Sequence, residues 1–231
     1  MKPLFFGLFL TLFLACGGDA TSAEAETIET PTSKMVTKVP RAEQQATTEK
    51  QTIVFFGNSL TAAYGLDPSQ GFVGLIRERI DSLGLNYKVV NAGLSGETSA
   101  GGNSRIDWIL RQKIDVFVLE LGANDGLRGT STEETYKNLD AIIDKVKAKY
   151  PTAKIVICAM EALPNMGEKF RTDFRAVFDK LAKENNATLI PFFLNNVGGV
   201  PELNQADGIH PTARGHQIVA ENIWEVLEDV L

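Results

Sequence analysis

Histidine is the scarcest reactive side chain in this 231-residue sequence. His210 and His216 are its only two, so any chemistry that needs an imidazole near neutral pH must use one of them. Cysteine is as rare: Cys16 and Cys158 are too few for a disulfide framework, and neither lies in a CxxC or Cys/His spacing, which excludes a structural zinc site. Positive charge is short as well. Lys and Arg number 23 against 29 Asp and Glu, a formal net charge of −6, and no basic cluster offers itself to phosphates, so a nucleic-acid partner is excluded. The apolar run from Leu4 to Ala15, about 12 residues, is shorter than the roughly 20 that cross a bilayer as a helix. What is present is an ordinary core composition, 44% hydrophobic and 23% charged, in a chain long enough for one large domain.

The chain divides into three parts. Met1-Lys2-Pro3 followed by the short apolar run reads as the core of an export signal. Its end, Phe13-Leu14-Ala15-Cys16-Gly17-Gly18, resembles a bacterial lipobox, with Phe13 where Leu is usual; the resemblance implies cleavage before Cys16 and lipidation of its thiol. Residues 17–50 have no aromatic side chain and only isolated apolar ones such as Ile28, Val36 and Val39, too few for a core. A flexible tether of this length reaches roughly 30 Å, enough to hold a domain clear of a membrane surface. Residues 51–231 are the expected folded domain.

Within that domain, short β-branched runs alternate with longer amphipathic ones. Candidate strands are 52–56, 87–90, 116–119, 154–157 and 188–190; candidate helices are 72–80, 106–111, 136–149, 170–184 and 218–227. Most of the strand runs are continuously apolar, as strands buried on both faces are, and parallel sheets are the usual place for them. Five alternations predict a three-layer α/β/α sandwich around a five-stranded parallel sheet in the flavodoxin-like order 2-1-3-4-5. Ligands of such sheets bind where loops leave the carboxyl ends of strands. Those positions carry Gly57-Asn58-Ser59-Leu60, Asn91-Ala92-Gly93 and Gly122-Ala123-Asn124-Asp125, and Asp207-Gly208-Ile209-His210-Pro211 precedes the last helix.

These residue types suit acyl transfer. Ser59 could present a hydroxyl at the rim, although a serine there also serves as a turn or cap residue. A serine needs a base, for which His210 is a candidate; Asp207, three residues earlier, could hold the imidazole in the tautomer that takes the serine proton. The amides of Ser59 and Gly93 and the side chain of Asn124 could form an oxyanion hole. Alternatively Ser59, Thr61 and nearby amides could hold a phosphate in a non-catalytic flavodoxin-like module, which leaves Asp207 and His210 without a role.

The four segments, in this order and separation, resemble the blocks of the SGNH (GDSL) hydrolases. The stretch Leu119–Gly129 and Ile190-Pro191-Phe192-Phe193 resemble the arylesterase, acyl-thioesterase and lysophospholipase branch, over about residues 51–231. The resemblance implies a serine esterase in which Ser59 is the nucleophile, His210 the base and Asp207 its orienter, with Gly93 and Asn124 completing the oxyanion hole. It implies small ester, thioester or lysophospholipid substrates and no metal or cofactor; a carbohydrate O-deacetylase shares the same blocks. One residue departs from the pattern: Asn58 stands where the family usually carries Asp. Leu127, Phe193 and Val197, with Phe192 and Val200, are candidates for an acyl pocket. His216 is expected as a surface or packing residue, Cys158 as inert core, and Trp108 and Trp224 as packing anchors. Together with the leader, this predicts an exported, membrane-anchored lipoprotein on the periplasmic side or surface of a bacterium.

Overall fold

A computed structural model describes residues 49–231; the export signal, Cys16 and nearly all of the tether lie outside the described residues. Five strands, β1 (Gln51–Gly57), β2 (Tyr87–Gly93), β3 (Val116–Glu120), β4 (Lys154–Cys158) and β5 (Thr188–Ile190), form one parallel sheet in the order β2-β1-β3-β4-β5, as the alternation of runs predicts. Six α-helices accompany them: α1 (Phe72–Ser82), α2 (Ser99–Ile109), α3 (Ala123–Arg128), α4 (Thr132–Lys149), α5 (Glu168–Asn185) and α6 (Ala213–Leu227). The chain leaves β1 in one direction to reach β2 and returns past it to β3, so right-handed crossovers place α1 on the opposite face from α2, α4 and α5. Accordingly α1 packs against α6, while α2, α4 and α5 pack in series.

Successive β1 side chains feed the two layers. Phe55 meets Phe72 of α1, ring centroids 5.9 Å apart, and Phe72 in turn meets Phe193 at 6.2 Å. Phe56 lies against Phe117 at 5.7 Å and faces Gly102 of α2. A Cβ on Gly102 would fall 2.4 Å from a methyl of Leu121, so this helix needs glycine where it crosses the sheet. The Gly101-Gly102 pair also explains why α2 begins earlier than the apolar pattern indicates: Thr98 caps it by accepting from the Gly101 N–H at 3.3 Å.

Two expectations are corrected. β2 runs three residues past Val90, through Asn91, Ala92 and Gly93, because the ladder with β1 continues as far as the pair Gly57–Gly93. Trp108 is not a packing anchor: it lies on the outer face of α2 and is 63% exposed. Trp224 is buried in α6, with the Arg79 guanidinium 5.2 Å from its ring centroid. His216 is a packing residue, fully enclosed between α6 and the start of α1, where Nδ1 accepts the Phe72 N–H at 3.3 Å. Burial lowers its pKa to about 4, so the ring is neutral at ordinary pH.

Candidate active site

The turn after β1 is built around Gly57. A Cβ there would lie 2.2 Å from the Thr61 hydroxyl and 2.5 Å from a Glu120 oxygen, so only glycine lets these side chains close over the end of the strand. The next residues reverse tightly, with Ala62 N–H bonded to the Asn58 carbonyl and Tyr64 N–H to the Ser59 carbonyl, each at 3.0 Å. This puts the Ser59 hydroxyl at the carboxyl edge of the sheet, beside the switch in strand order between β1 and β3.

The other half of the site arrives from far along the chain. Gln205 N–H donates to the His210 carbonyl at 2.7 Å, and the Gln205 side-chain amide donates to the Tyr64 and Pro211 carbonyls at 2.8 and 3.0 Å. One glutamine thereby clasps the histidine loop to the nucleophile turn. His210 Nε2 lies 2.9 Å from Ser59 Oγ, and its Nδ1 lies 2.7 Å from Asp207 Oδ2. The bond to His210, followed by the N–H groups of Ile209 and His210, holds the Asp207 carboxyl down at about 2. An ionised carboxylate can only accept, so Nδ1 carries the proton and Nε2 is left to accept the serine O–H. The Tyr64 ring packs on the imidazole with centroids 4.6 Å apart.

Gly93 does not join this cluster. As a ladder residue its N–H is taken by Asn91 Oδ1 at 2.9 Å, and its backbone is pressed so close to Ala62 that a Cβ would sit 2.4 Å from that nitrogen. Three residues on, past the true end of β2, Gly96 lines the same cavity as Ser59 with its backbone at φ +80°. No protein acceptor takes the N–H of Gly96 or of Ser59 among the described residues. Asn124, on the first turn of α3, donates one amide hydrogen to the Glu97 carbonyl at 2.9 Å and has its second available. The loop that carries Gly96 is braced on both sides: Glu97 pairs with Arg105 at 2.5 Å, and Asp125 accepts from the Ser99 N–H and hydroxyl at 2.8 and 2.6 Å.

Ser59, His210, Asn124 and Gly96 open on a cavity of about 390 Å³. Of the acyl-pocket candidates, Leu127 and Phe192 line it, whereas Phe193 and Val197 are wholly buried in the core beneath. Phe193 packs against Phe72, ring centroids 6.2 Å apart, and does not line the opening. Val200 is also absent from the lining, and Leu60, Met160, Leu163, Leu194 and Ile209 join Leu127 and Phe192 in the apolar wall. Sequence reasoning missed Gly96, Tyr64 and Gln205; a second glycine in the block after β2 was the visible signal for the first, and the other two had none.

The sequence profile of the GDSL-like lipase/acylhydrolase family matches residues 55–218. The chain belongs to that family. It is 41% identical over 182 residues to esterase TesA of Pseudomonas aeruginosa, covering 78% of this chain and 90% of that one. It is 36% identical over 181 residues to thioesterase 1/protease 1/lysophospholipase L1 of Escherichia coli, covering 78% and 85%. The crystal structure of TesA superposes with a TM-score of 0.75 at 41% identity, over 78% of this chain and all of the solved one.

Proposed function

We propose that this member of the GDSL-like lipase/acylhydrolase family is a serine carboxylic ester hydrolase in which Ser59 attacks the acyl carbonyl and His210 takes its proton. The observation that carries the reading is the unbroken line from Asp207 Oδ2 through the imidazole to Ser59 Oγ, with spacings of 2.7 and 2.9 Å. The oxyanion would receive the Ser59 N–H, the second Asn124 amide hydrogen and the Gly96 N–H, in place of the Gly93 N–H that Asn91 Oδ1 occupies. Collapse of the tetrahedral intermediate expels the alcohol or thiol, protonated by His210, and leaves an acyl-serine. Water activated by the same ring then releases the acid.

Substrates are esters and thioesters of apolar acyl groups, with lysophospholipids among the candidates. A cavity of about 390 Å³ walled by Leu127, Leu163, Phe192 and Ile209 supports an acyl chain over a sugar ring, which would ask for more polar partners. The alternative of a phosphate-holding module loses its ground, because the Ser59 hydroxyl is engaged with an imidazole. A fluorophosphonate probe should label the wild type and leave Ser59→Ala unlabelled, with p-nitrophenyl ester turnover vanishing in parallel. A folded wild type that resists the probe would sink the assignment.

Export and anchoring through a lipidated Cys16 are part of the same proposal, supported by the short apolar leader and the box around Cys16. No helix of the described residues is long and apolar enough to cross a membrane. Labelled fatty acid fed to cells should enter the wild-type chain and not Cys16→Ser; equal labelling of both would remove the anchor.

A further inference from the structure

Directly under the nucleophile turn lies a carboxylate that the acyl-transfer chemistry does not use. Glu120, the last residue of β3, is 1% exposed, and four donors surround it. Oε2 accepts from the Asn58 N–H (3.2 Å), the Thr61 N–H (3.3 Å) and the Thr61 hydroxyl (2.7 Å), while Oε1 accepts from Asn58 Nδ2 at 2.8 Å. All four come from residues flanking Ser59. Asn58 has no freedom to turn round, because its Oδ1 accepts the Leu60 N–H at 2.9 Å and faces the Ser59 hydroxyl at 3.4 Å.

We propose that Glu120 is the positioning residue of the nucleophile, fixing Ser59 through Asn58 and Thr61, and that Asn58 is matched to it as the donor that an anionic Glu120 requires. The inference rests on the serine-esterase reading and deepens it. With four donors and no acceptor facing it, Glu120 fits the site in its ionised form. Burial works against that form and raises its pKa to about 7, so the pair operates near the edge of ionisation. The other titratable group facing it is Cys158 of β4, whose thiol burial keeps protonated. An aspartate at position 58 would bring two carboxylates within about 3 Å, where one proton must be shared. Asn58 removes that requirement, and with it a limit on the alkaline side.

A four-member cycle tests the match. Glu120→Gln should lower kcat by about 10²-fold with KM changed little, because glutamine keeps only one acceptor oxygen, so its NH2 must face either Asn58 Nδ2 or the Thr61 donors and the hydroxyl loses its alignment. Asn58→Asp should retain activity in acid but move the alkaline fall of kcat to lower pH. The double variant Asn58→Asp/Glu120→Gln inverts the donor and acceptor at the same contact. It should recover to within about tenfold of wild type, with the alkaline fall restored. Thermal melts report folding of each. The proposal is overturned if Glu120→Gln keeps wild-type kcat, or if the double variant is no better than Glu120→Gln. Should Glu120→Gln fail to fold, an Asn58→Asp profile identical to wild type overturns it as well. Ser59→Ala runs alongside: turnover that survives it defeats the esterase reading itself, whereas Ser59-dependent turnover indifferent to position 120 defeats only this inference.

Discussion

Asn124 divides its amide between two tasks, one hydrogen holding the Glu97 carbonyl and the other available to the reacting oxygen. Asn124→Ala should therefore lower kcat by about 10²–10³-fold while KM shifts little, as expected of a donor that matters most in the transition state. An unchanged kcat, measured with a short-chain ester, would remove it from the oxyanion hole. Scarcity made the histidine legible from sequence, since His210 was one of two imidazoles and stood beside an acid at turn spacing. The glycine was not legible in the same way. Choosing between Gly93 and Gly96 depends on where the β2 ladder ends, and that is decided by pairing with β1, a contact with residues about 35 positions away.

At the level of elements, the sheet was legible because β1, β3 and β4 are buried on both faces along nearly their whole length and their runs carry little polar alternation. The segment after β5 was harder. Phe192 and Phe193 are chemically identical, and only the tertiary packing separates the ring that lines the cavity from the one that meets Phe72. Leu127→Ser should reduce kcat/KM for long acyl esters more than for acetyl esters, since it changes the cavity wall. Phe193→Ala should instead cost about 3–5 kcal/mol of stability and leave the order of chain-length preference as it was. A chain-length profile altered by Phe193→Ala in the still-folded protein would return that ring to the pocket. Helix α3 escaped the sequence reading for a related reason: at six residues it is too short to show a period, and Gly122 at φ 120° and Gly129 at φ 65° bound it.

For the molecule as a whole, two buried ionisable groups give opposite slopes to stability against pH. His216 has a folded pKa of about 4 against an ordinary value of 6.5, so the unfolded chain binds the extra proton in that window and stability falls as pH drops through it. The loss is on the order of 3 kcal/mol. Glu120, raised to about 7 from 4.5, acts the other way: between those values the folded state holds the extra proton, and stability falls as pH rises. Urea unfolding of His216→Gln at pH 7 and pH 4.5 should show a smaller loss on acidification than wild type, the Glu120 contribution being common to both. Parallel losses would mean that His216 is not the acid-sensitive group. Cys158 has a practical consequence of its own. Its thiol is enclosed in β4 and held protonated, the one free sulfhydryl among the described residues, so the folded domain should be silent toward thiol reagents. Thioester turnover can then be followed continuously by the colour of released thiol, with the described domain contributing no background of its own.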